Sequence, residues 1–124
     1  MTIRSFTLAA LAGAASLFAA SRPPGDLLQR VPPAAAQCRN PFAGSDKHRL
    51  AGAKLFREEC ASCHGRDAKG IGKAPPLASP TVRHAEAGKL FWILRNGSLR
   101  RGMPSFAHLP EDQRWQIVTY LKSL

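Results

Sequence analysis

Cysteine, aromatic residues and acidic side chains are all scarce in this sequence. Its three cysteines cannot all pair within one chain, which excludes the disulfide framework of a small secreted domain. Aromatic residues make up only 7%, and the 8 acidic residues are outnumbered by 18 lysines and arginines, for a net charge of +10. A length of 124 residues allows one small domain, which excludes a multidomain enzyme and a polytopic membrane protein. The thiols therefore need a different chemical explanation.

The N-terminus has the three-part build of a secretory signal peptide. A short basic start over 1–4 is followed by an uncharged run rich in Ala and Leu over 6–20, which ends at Ser21-Arg22-Pro23-Pro24. The run is shorter than the roughly 20 residues that a membrane-spanning helix needs. We predict a signal peptide over 1–21, cleavage after Ser21 and export to the bacterial periplasm. An uncleaved membrane anchor is the alternative.

Residues 22–45 are rich in proline and show neither a helical nor a strand period. Prolines at positions 23, 24, 32, 33 and 41 interrupt every candidate helix, so we predict a flexible Pro-rich tether. Cys38 lies in this segment and is a poor match to a lipoprotein box, which leaves a free thiol or an intermolecular disulfide open. The folded domain is predicted to cover 46–124, because Ser45 is a favourable N-cap.

Three amphipathic helices are predicted in that domain, over 46–63, 85–95 and 111–124. In the first, Ala53, Phe56, Cys60 and Cys63 share one face. A loop rich in Gly and Pro connects the first two helices, and no strand pattern is present. The fold class is therefore all-α. Because a domain of about 80 residues buries only a marginal core, a cofactor or other staple is expected.

The sequence Cys60-Ala61-Ser62-Cys63-His64 predicts that staple. C-x-x-C-H is the attachment motif of c-type haem, in which two thiols add to the porphyrin and the adjacent histidine ligates iron. A zinc site would need a second Cys/His pair, and a thioredoxin-like dithiol would need a βαβ pattern. We therefore predict one covalent haem c bound by Cys60 and Cys63, with His64 as an iron ligand.

Met103 is the candidate for the opposite axial position. Met1 is expected to leave with the signal peptide, so Met103 is the one thioether of the mature chain. It lies between two predicted helices, beside Gly102 and Pro104. A methionine in a loop also serves as a core gap-filler, and the rival histidines are His48, His84 and His108. A bis-histidine site and an open iron position are the alternatives.

Six short motifs form a wider pattern: Gly52-Ala53-Lys54-Leu55-Phe56, Cys60 to His64, Pro75-Pro76-Leu77, Asn96-Gly97, Gly102-Met103-Pro104-Ser105-Phe106 and Tyr120-Leu121. With them, 46–124 resembles a class I monohaem cytochrome c, most of all the subset related to haem subunits of bacterial oxidases and to cytochromes that serve periplasmic dehydrogenases. The resemblance implies three helices wrapped around one haem, with Gly52 and Phe56 packed against the last helix. It also implies that Pro75, or alternatively Pro76, accepts a hydrogen bond from His64 and that Leu77 covers the haem.

An iron held by both His64 and Met103 has no position free for oxygen or substrate, which indicates an electron carrier rather than an enzyme. The alternatives are a haem enzyme or gas sensor with an open sixth position, and a tethered haem subunit of a dehydrogenase or oxidase complex. The sequence contains no catalytic triad, paired carboxylates or phosphate-binding loop to suggest other chemistry.

The positive charge predicts redox partners with acidic docking faces: a dehydrogenase as donor and an oxidase as acceptor. The candidate basic face consists of Arg66, Lys69, Lys73, Arg83, Arg95, Arg100 and Arg101. Each of these is equally well explained as an ordinary solvated side chain. Nucleic acid is not expected, because no aromatic residues accompany a basic stripe. Contact with a membrane is expected only through an uncleaved N-terminal anchor.

Overall fold

The computed structural model describes residues 24–124, which form seven α-helices and one 3-10 helix without β-strands. The helices are α1 (Pro24–Gln29), α2 (Pro33–Ala36), α3 (Asp46–Glu59), α4 (Ala61–His64), α5 (Pro80–His84), α6 (Ala87–Asn96) and α7 (Glu111–Leu121), with the 3-10 helix at Leu99–Arg101. The all-α prediction is confirmed. The predicted signal peptide over 1–21 lies outside the described residues. No helix of 24–124 has the length and apolar character to cross a bilayer.

The packing of α3 against α7 forms the centre of the fold. Gly52 makes it possible, because a Cβ there would overlap the carbonyl oxygen of Gln116 and lie 3.0 Å from Cβ of Tyr120. One turn later, Phe56 is fully buried, and its ring centroid is 5.3 Å from that of Tyr120. The predicted packing of Gly52 and Phe56 against the last helix is therefore present.

Helix α6 packs against α7 through aromatic side chains. Phe91 stacks on Trp115 with a centroid distance of 3.9 Å. The guanidinium of Arg114 lies over the Phe91 ring, 4.8 Å from its centroid. Arg114 is buried, and its Nε and Nη1 have no protein partner. The arginine therefore contributes to this contact through packing and a cation–π interaction rather than an ion pair.

The predicted helices are present with shifted boundaries. The first is divided at Cys60, which ends α3 and begins α4, and the other two run over Ala87–Asn96 and Glu111–Leu121. Helix α5 was not predicted and lies in the expected loop. It begins at Pro80 after Ser79, whose hydroxyl accepts a hydrogen bond from the backbone N–H of Val82. A proline in the first turn is favourable because its missing N–H would have no helical partner.

The prediction of a flexible tether without helices is wrong for residues 24–45, which we call the N-terminal belt. Helices α1 and α2 lie within it, and Leu28 and Val31 are buried in the core. The belt also contacts α6 at Gly88, where a Cβ would overlap the carbonyl oxygen of Ala35. Two of the prolines that suggested an irregular chain, Pro24 and Pro33, occupy the first positions of short helices, where proline is tolerated.

Candidate haem site

The C-terminus of α3 and the single turn of α4 present both thiols and the imidazole of the haem motif. The backbone N–H groups of Cys63 and His64 donate to the carbonyl oxygen of Cys60, at 3.2 and 2.9 Å. Cys60 is buried and Cys63 is exposed. A continuous hydrogen-bonded turn therefore sets the spacing of the three side chains, and it places one sulfur against the core and the other toward solvent.

Burial changes the chemistry of Cys60. It raises the pKa of the Cys60 thiol to about 12, with smaller contributions from the negative charge of Glu59 and from Cys63. The thiolate is therefore disfavoured at this position, whereas an uncharged sulfur is not. A thioether to a haem vinyl carbon is uncharged, so the environment of Cys60 suits the covalently attached form.

His64 is oriented by the loop that follows the motif. Its side chain is buried, and its Nδ1 lies 2.9 Å from the carbonyl oxygen of Pro75. Because a carbonyl oxygen only accepts hydrogen bonds, Nδ1 carries the proton and Nε2 keeps its lone pair for a metal. Of the two prolines considered, Pro75 makes this contact.

Two loop residues bring Pro75 to the imidazole, and sequence reasoning missed the role of both. Ala68 is fully buried with φ +58°, and its carbonyl oxygen accepts from the backbone N–H groups of Leu77 and Ala78, at 2.7 and 2.9 Å. Gly70 has φ +88°, and a Cβ there would lie 2.6 Å from the carbonyl oxygen of Ala74. The glycine was visible in the sequence as a loop residue, but nothing marked Ala68, because alanine rarely adopts a left-handed conformation. Leu77 itself is half-buried against the core.

Met103 lies in a small closed loop after α6. Its backbone exchanges two hydrogen bonds with Ser98, with N···O distances of 2.9 and 3.1 Å, and Gly102 adopts a left-handed conformation with φ +80°. The Met103 side chain is half-buried against the core. Phe106 ties the following residues to α6, because its N–H donates to the carbonyl oxygen of Leu94 at 2.8 Å.

The three rival histidines occupy different surroundings. His48 is engaged at the start of α3, where its Nδ1 lies 2.7 Å from Oγ of Ser45 and its ring stacks on Phe42 at 3.8 Å. His84 and His108 are exposed. Local contacts therefore account for His48, and neither of the others is half-buried against the core as Met103 is.

The donor set fits a covalent haem better than a bare metal ion. Residues 24–124 contain no group of three or more His, Cys, Asp or Glu side chains able to hold a metal ion. Cys60 and Cys63 supply two thiols on one turn, and His64 supplies an imidazole whose Nε2 remains free for iron. This combination matches porphyrin attachment and one axial bond.

Most of the predicted basic face is exposed. Arg66, Lys69, Lys73, Arg83, Arg95 and Arg100 lie at the surface. Arg101 differs, because its side chain is only 16% exposed and its Nη2 lies 2.5 Å from Oδ2 of Asp26. Its charge is therefore compensated within the protein.

Cys38 is exposed, and its thiol lies 3.8 Å from the carbonyl oxygen of Ala34.

Comparison with known proteins supports this chemistry. Residues 49–121 match the family model described as Cytochrome C oxidase, cbb3-type, subunit III. Cytochrome c550 from Pseudomonas aeruginosa is 34% identical over 92 residues, a match that covers 69% of this chain and 62% of that protein. The crystal structure of cytochrome CL from the marine methylotroph Methylophaga aminisulfidivorans is 27% identical, with a TM-score of 0.59 over 68% of this chain and 58% of that one.

The chain thus spans about three fifths of the length of each of these relatives. The family match covers the haem motif, the Pro75 loop and Met103, and both relatives are c-type cytochromes by name. The predicted resemblance to class I cytochromes c and the predicted covalent haem c are confirmed. The chain belongs to the cbb3-type cytochrome c oxidase subunit III family and is a monohaem class I c-type cytochrome.

Proposed function

We propose that this protein is a one-electron carrier of the bacterial periplasm, with His64 and Met103 as axial ligands of one covalent haem. The observation that carries the proposal is the 2.9 Å contact between Nδ1 of His64 and the carbonyl oxygen of Pro75. It leaves Nε2 as the ring nitrogen available to iron and makes the imidazole a stronger donor.

The bound haem supplies the Fe(III)/Fe(II) couple, which gains one electron from a donor and loses it to an acceptor. The residues of the chain hold and tune that couple. His64 keeps one orientation because Pro75 and the surrounding burial restrict its ring. The soft thioether of Met103 favours the reduced state and raises the reduction potential. Leu77, half-buried in the segment after Pro75, helps to exclude water.

A second protein ligand at the iron separates a carrier from a haem enzyme or gas sensor. Met103 is supported over the histidines because its side chain lies against the core, whereas His84 and His108 are exposed and His48 contacts Ser45 and Phe42. With both axial positions filled, peroxide, carbon monoxide and nitric oxide have no coordination site.

Location and partners belong to the same proposal. The basic and apolar start of the sequence supports export with cleavage after Ser21, and haem attachment of this kind is consistent with an exported protein. The exposed arginines and lysines support docking to redox proteins with acidic faces, with a dehydrogenase as donor and an oxidase as acceptor. Weak, salt-sensitive encounters of this kind suit a shuttle.

Absorption spectra of the holoprotein test the ligand assignment. We expect the oxidised protein to show the weak long-wavelength thioether-to-iron band, and the reduced spectrum to be unchanged by carbon monoxide. Met103→Ala should lose the band and bind carbon monoxide, whereas the exposed-histidine variant His84→Ala should behave like the wild type. Ready binding of carbon monoxide by the wild type would favour the enzyme or sensor. An unchanged spectrum in Met103→Ala would point to a histidine ligand.

A further inference from the structure

The N-terminal belt reaches the loop that contains Met103. Asp26, in α1, accepts a hydrogen bond from Arg101 Nη2 at 2.5 Å, across 75 positions of sequence. Arg101 lies two residues before Met103. The belt precedes the 49–121 segment that the family model matches, so this contact joins a segment outside the match to one inside it.

The residues around Met103 behave as one closed unit. The paired backbone bonds between Ser98 and Met103 close a six-residue loop, and within it Arg101 N–H donates to Ser98 and Gly102 N–H donates to Leu99, at 2.9 and 3.0 Å. Because these backbone hydrogen bonds connect Arg101 to Met103, a contact that fixes the Arg101 side chain also restricts the position of Met103.

Asp26 provides the side-chain anchor of this loop. In the described part of the chain, it is the one residue outside 98–103 whose side chain hydrogen-bonds to that loop. The segment that contains Asp26 is held firmly, because Leu28 in α1 and Val31 just after it are 8% and 6% exposed and lie in the core. The other attachments, from Ser105 to Arg95 and from Phe106 to Leu94, come after Met103.

The strength of the contact depends on its surroundings. Arg101 is 16% exposed and Asp26 is 45% exposed, so the pair is less screened by water than an ordinary surface pair. Arg30 also approaches Asp26, but at 3.4 Å and with a side chain that is 64% exposed. Arg101 is therefore the main partner of the carboxylate.

We propose that Asp26 is a positioning residue that holds the Met103 loop in place through Arg101 and so opposes displacement of Met103 from the haem iron. The inference rests on the proposed axial role of Met103. Without the anchor, the loop opens more often, and an external ligand competes more successfully for the sixth position of iron.

Binding of imidazole to the oxidised holoprotein measures this opening. We expect Asp26→Asn to bind imidazole about fivefold more tightly than the wild type, the upper end of what a partly exposed ion pair contributes. Asp26→Glu should recover part of the difference. The matched control is Asp46→Asn, which removes an exposed carboxylate paired with Arg49 at 3.2 Å, far from Met103 in sequence. It should leave the affinity unchanged.

A double-variant cycle with Arg101→Gln separates this role from general stabilisation. If the two residues act through one contact, Asp26→Asn adds little to imidazole affinity once Arg101 has been replaced. A change in thermal stability without a change in affinity would make the pair merely structural and overturn the inference. So would equal affinities of Asp26→Asn and the wild type.

The same titration with Met103→Ala tells the two proposals apart. If Met103→Ala binds imidazole much more tightly than the wild type while Asp26→Asn does not, Met103 is the ligand and only the anchoring inference fails. If Met103→Ala binds like the wild type, the axial assignment itself fails, and the anchoring inference with it.

Discussion

At the scale of single residues, Gly52 determines how closely α3 approaches α7. A side chain at this position would overlap the carbonyl oxygen of Gln116, which is helix backbone and cannot move without shifting α7. The adjoining contact between Phe56 and Tyr120 depends on the same approach. The glycine is therefore required for helix–helix packing, despite the helix propensity that it costs.

Gly52→Ala should lower the free energy of unfolding by about 3 kcal/mol, because overpacking against backbone outweighs the gain in helix propensity. Chemical denaturation of the holoprotein measures it. Gly72→Ala is the matched control, since nothing lies within 4 Å of its Cβ position and only its φ of +57° is unfavourable. That change should cost about 1 kcal/mol. Equal losses for the two variants would show that α3 and α7 do not pack this closely.

Residues also differ in how far sequence alone predicts them. Cys60, Cys63 and His64 were identified from their spacing, because covalent chemistry demands that spacing. The burial that raises the pKa of Cys60 was not predictable, since it depends on what packs around the end of α3. Asp26 and Ala68 carried no signal at all, because their contacts join segments that are remote in sequence or depend on an uncommon backbone conformation.

At the scale of elements, the N-terminal belt is the main departure from expectation. Helices α3, α6 and α7 span 10 to 14 residues and show an apolar stripe, so their positions were predicted. Helices α1, α2 and α5 have six, four and five residues. Fewer than two turns cannot display a period of 3.6, so such helices are recognised only through their tertiary contacts.

Gly88 lies where the belt crosses α6. A Cβ there would overlap the carbonyl oxygen of Ala35 and lie 2.7 and 2.8 Å from those of Ala36 and Cys38. A second link to the helical core is the hydrogen bond from Asn40 Nδ2 to Oγ1 of Thr119, at 2.9 Å. The belt is therefore held by close backbone contact as well as by the burial of its apolar side chains.

We expect Gly88→Ala to push the belt away from α6 and to make residues 24–45 several times more sensitive to protease. The physical reason is overlap with three carbonyl groups, which the belt relieves by moving. Limited proteolysis of the holoprotein, followed by mass spectrometry, locates the cuts. Gly44→Ala is the control within the belt, because nothing lies within 4 Å of its Cβ position and only its φ of +76° is unfavourable, so it does not push the belt away from α6. Equal protection of Gly88→Ala and the wild type would argue against close belt packing.

At the scale of the whole molecule, the net positive charge affects how fast charged redox partners associate with the protein. The chain carries a net charge of +10, and six of the seven basic residues proposed for docking are exposed. Arg101 is the exception because of its pairing with Asp26. Such a field attracts anionic partners at low ionic strength and is screened as salt is added.

Small redox reagents test this field without a known protein partner. Oxidation of the reduced holoprotein by anionic hexacyanoferrate(III) should slow as ionic strength rises from about 0.01 to about 1 M, over which the Debye length falls roughly tenfold. Oxidation by cationic tris(phenanthroline)cobalt(III) should accelerate over the same range. Stopped-flow absorbance gives both rates. Salt effects of the same sign for the two reagents would exclude a positive field at the site of electron transfer.

The haem chemistry, the all-α class and the three longer helices were predictable from sequence, because covalent attachment and amphipathic periodicity are local patterns. Three features became visible only in the folded chain: Pro75 is the partner of His64, residues 24–45 are packed rather than free, and Asp26 contacts the loop containing Met103. These contacts join residues 11 to 75 positions apart. Their free energy arises from burial and close approach in the folded chain, which no short stretch of sequence encodes.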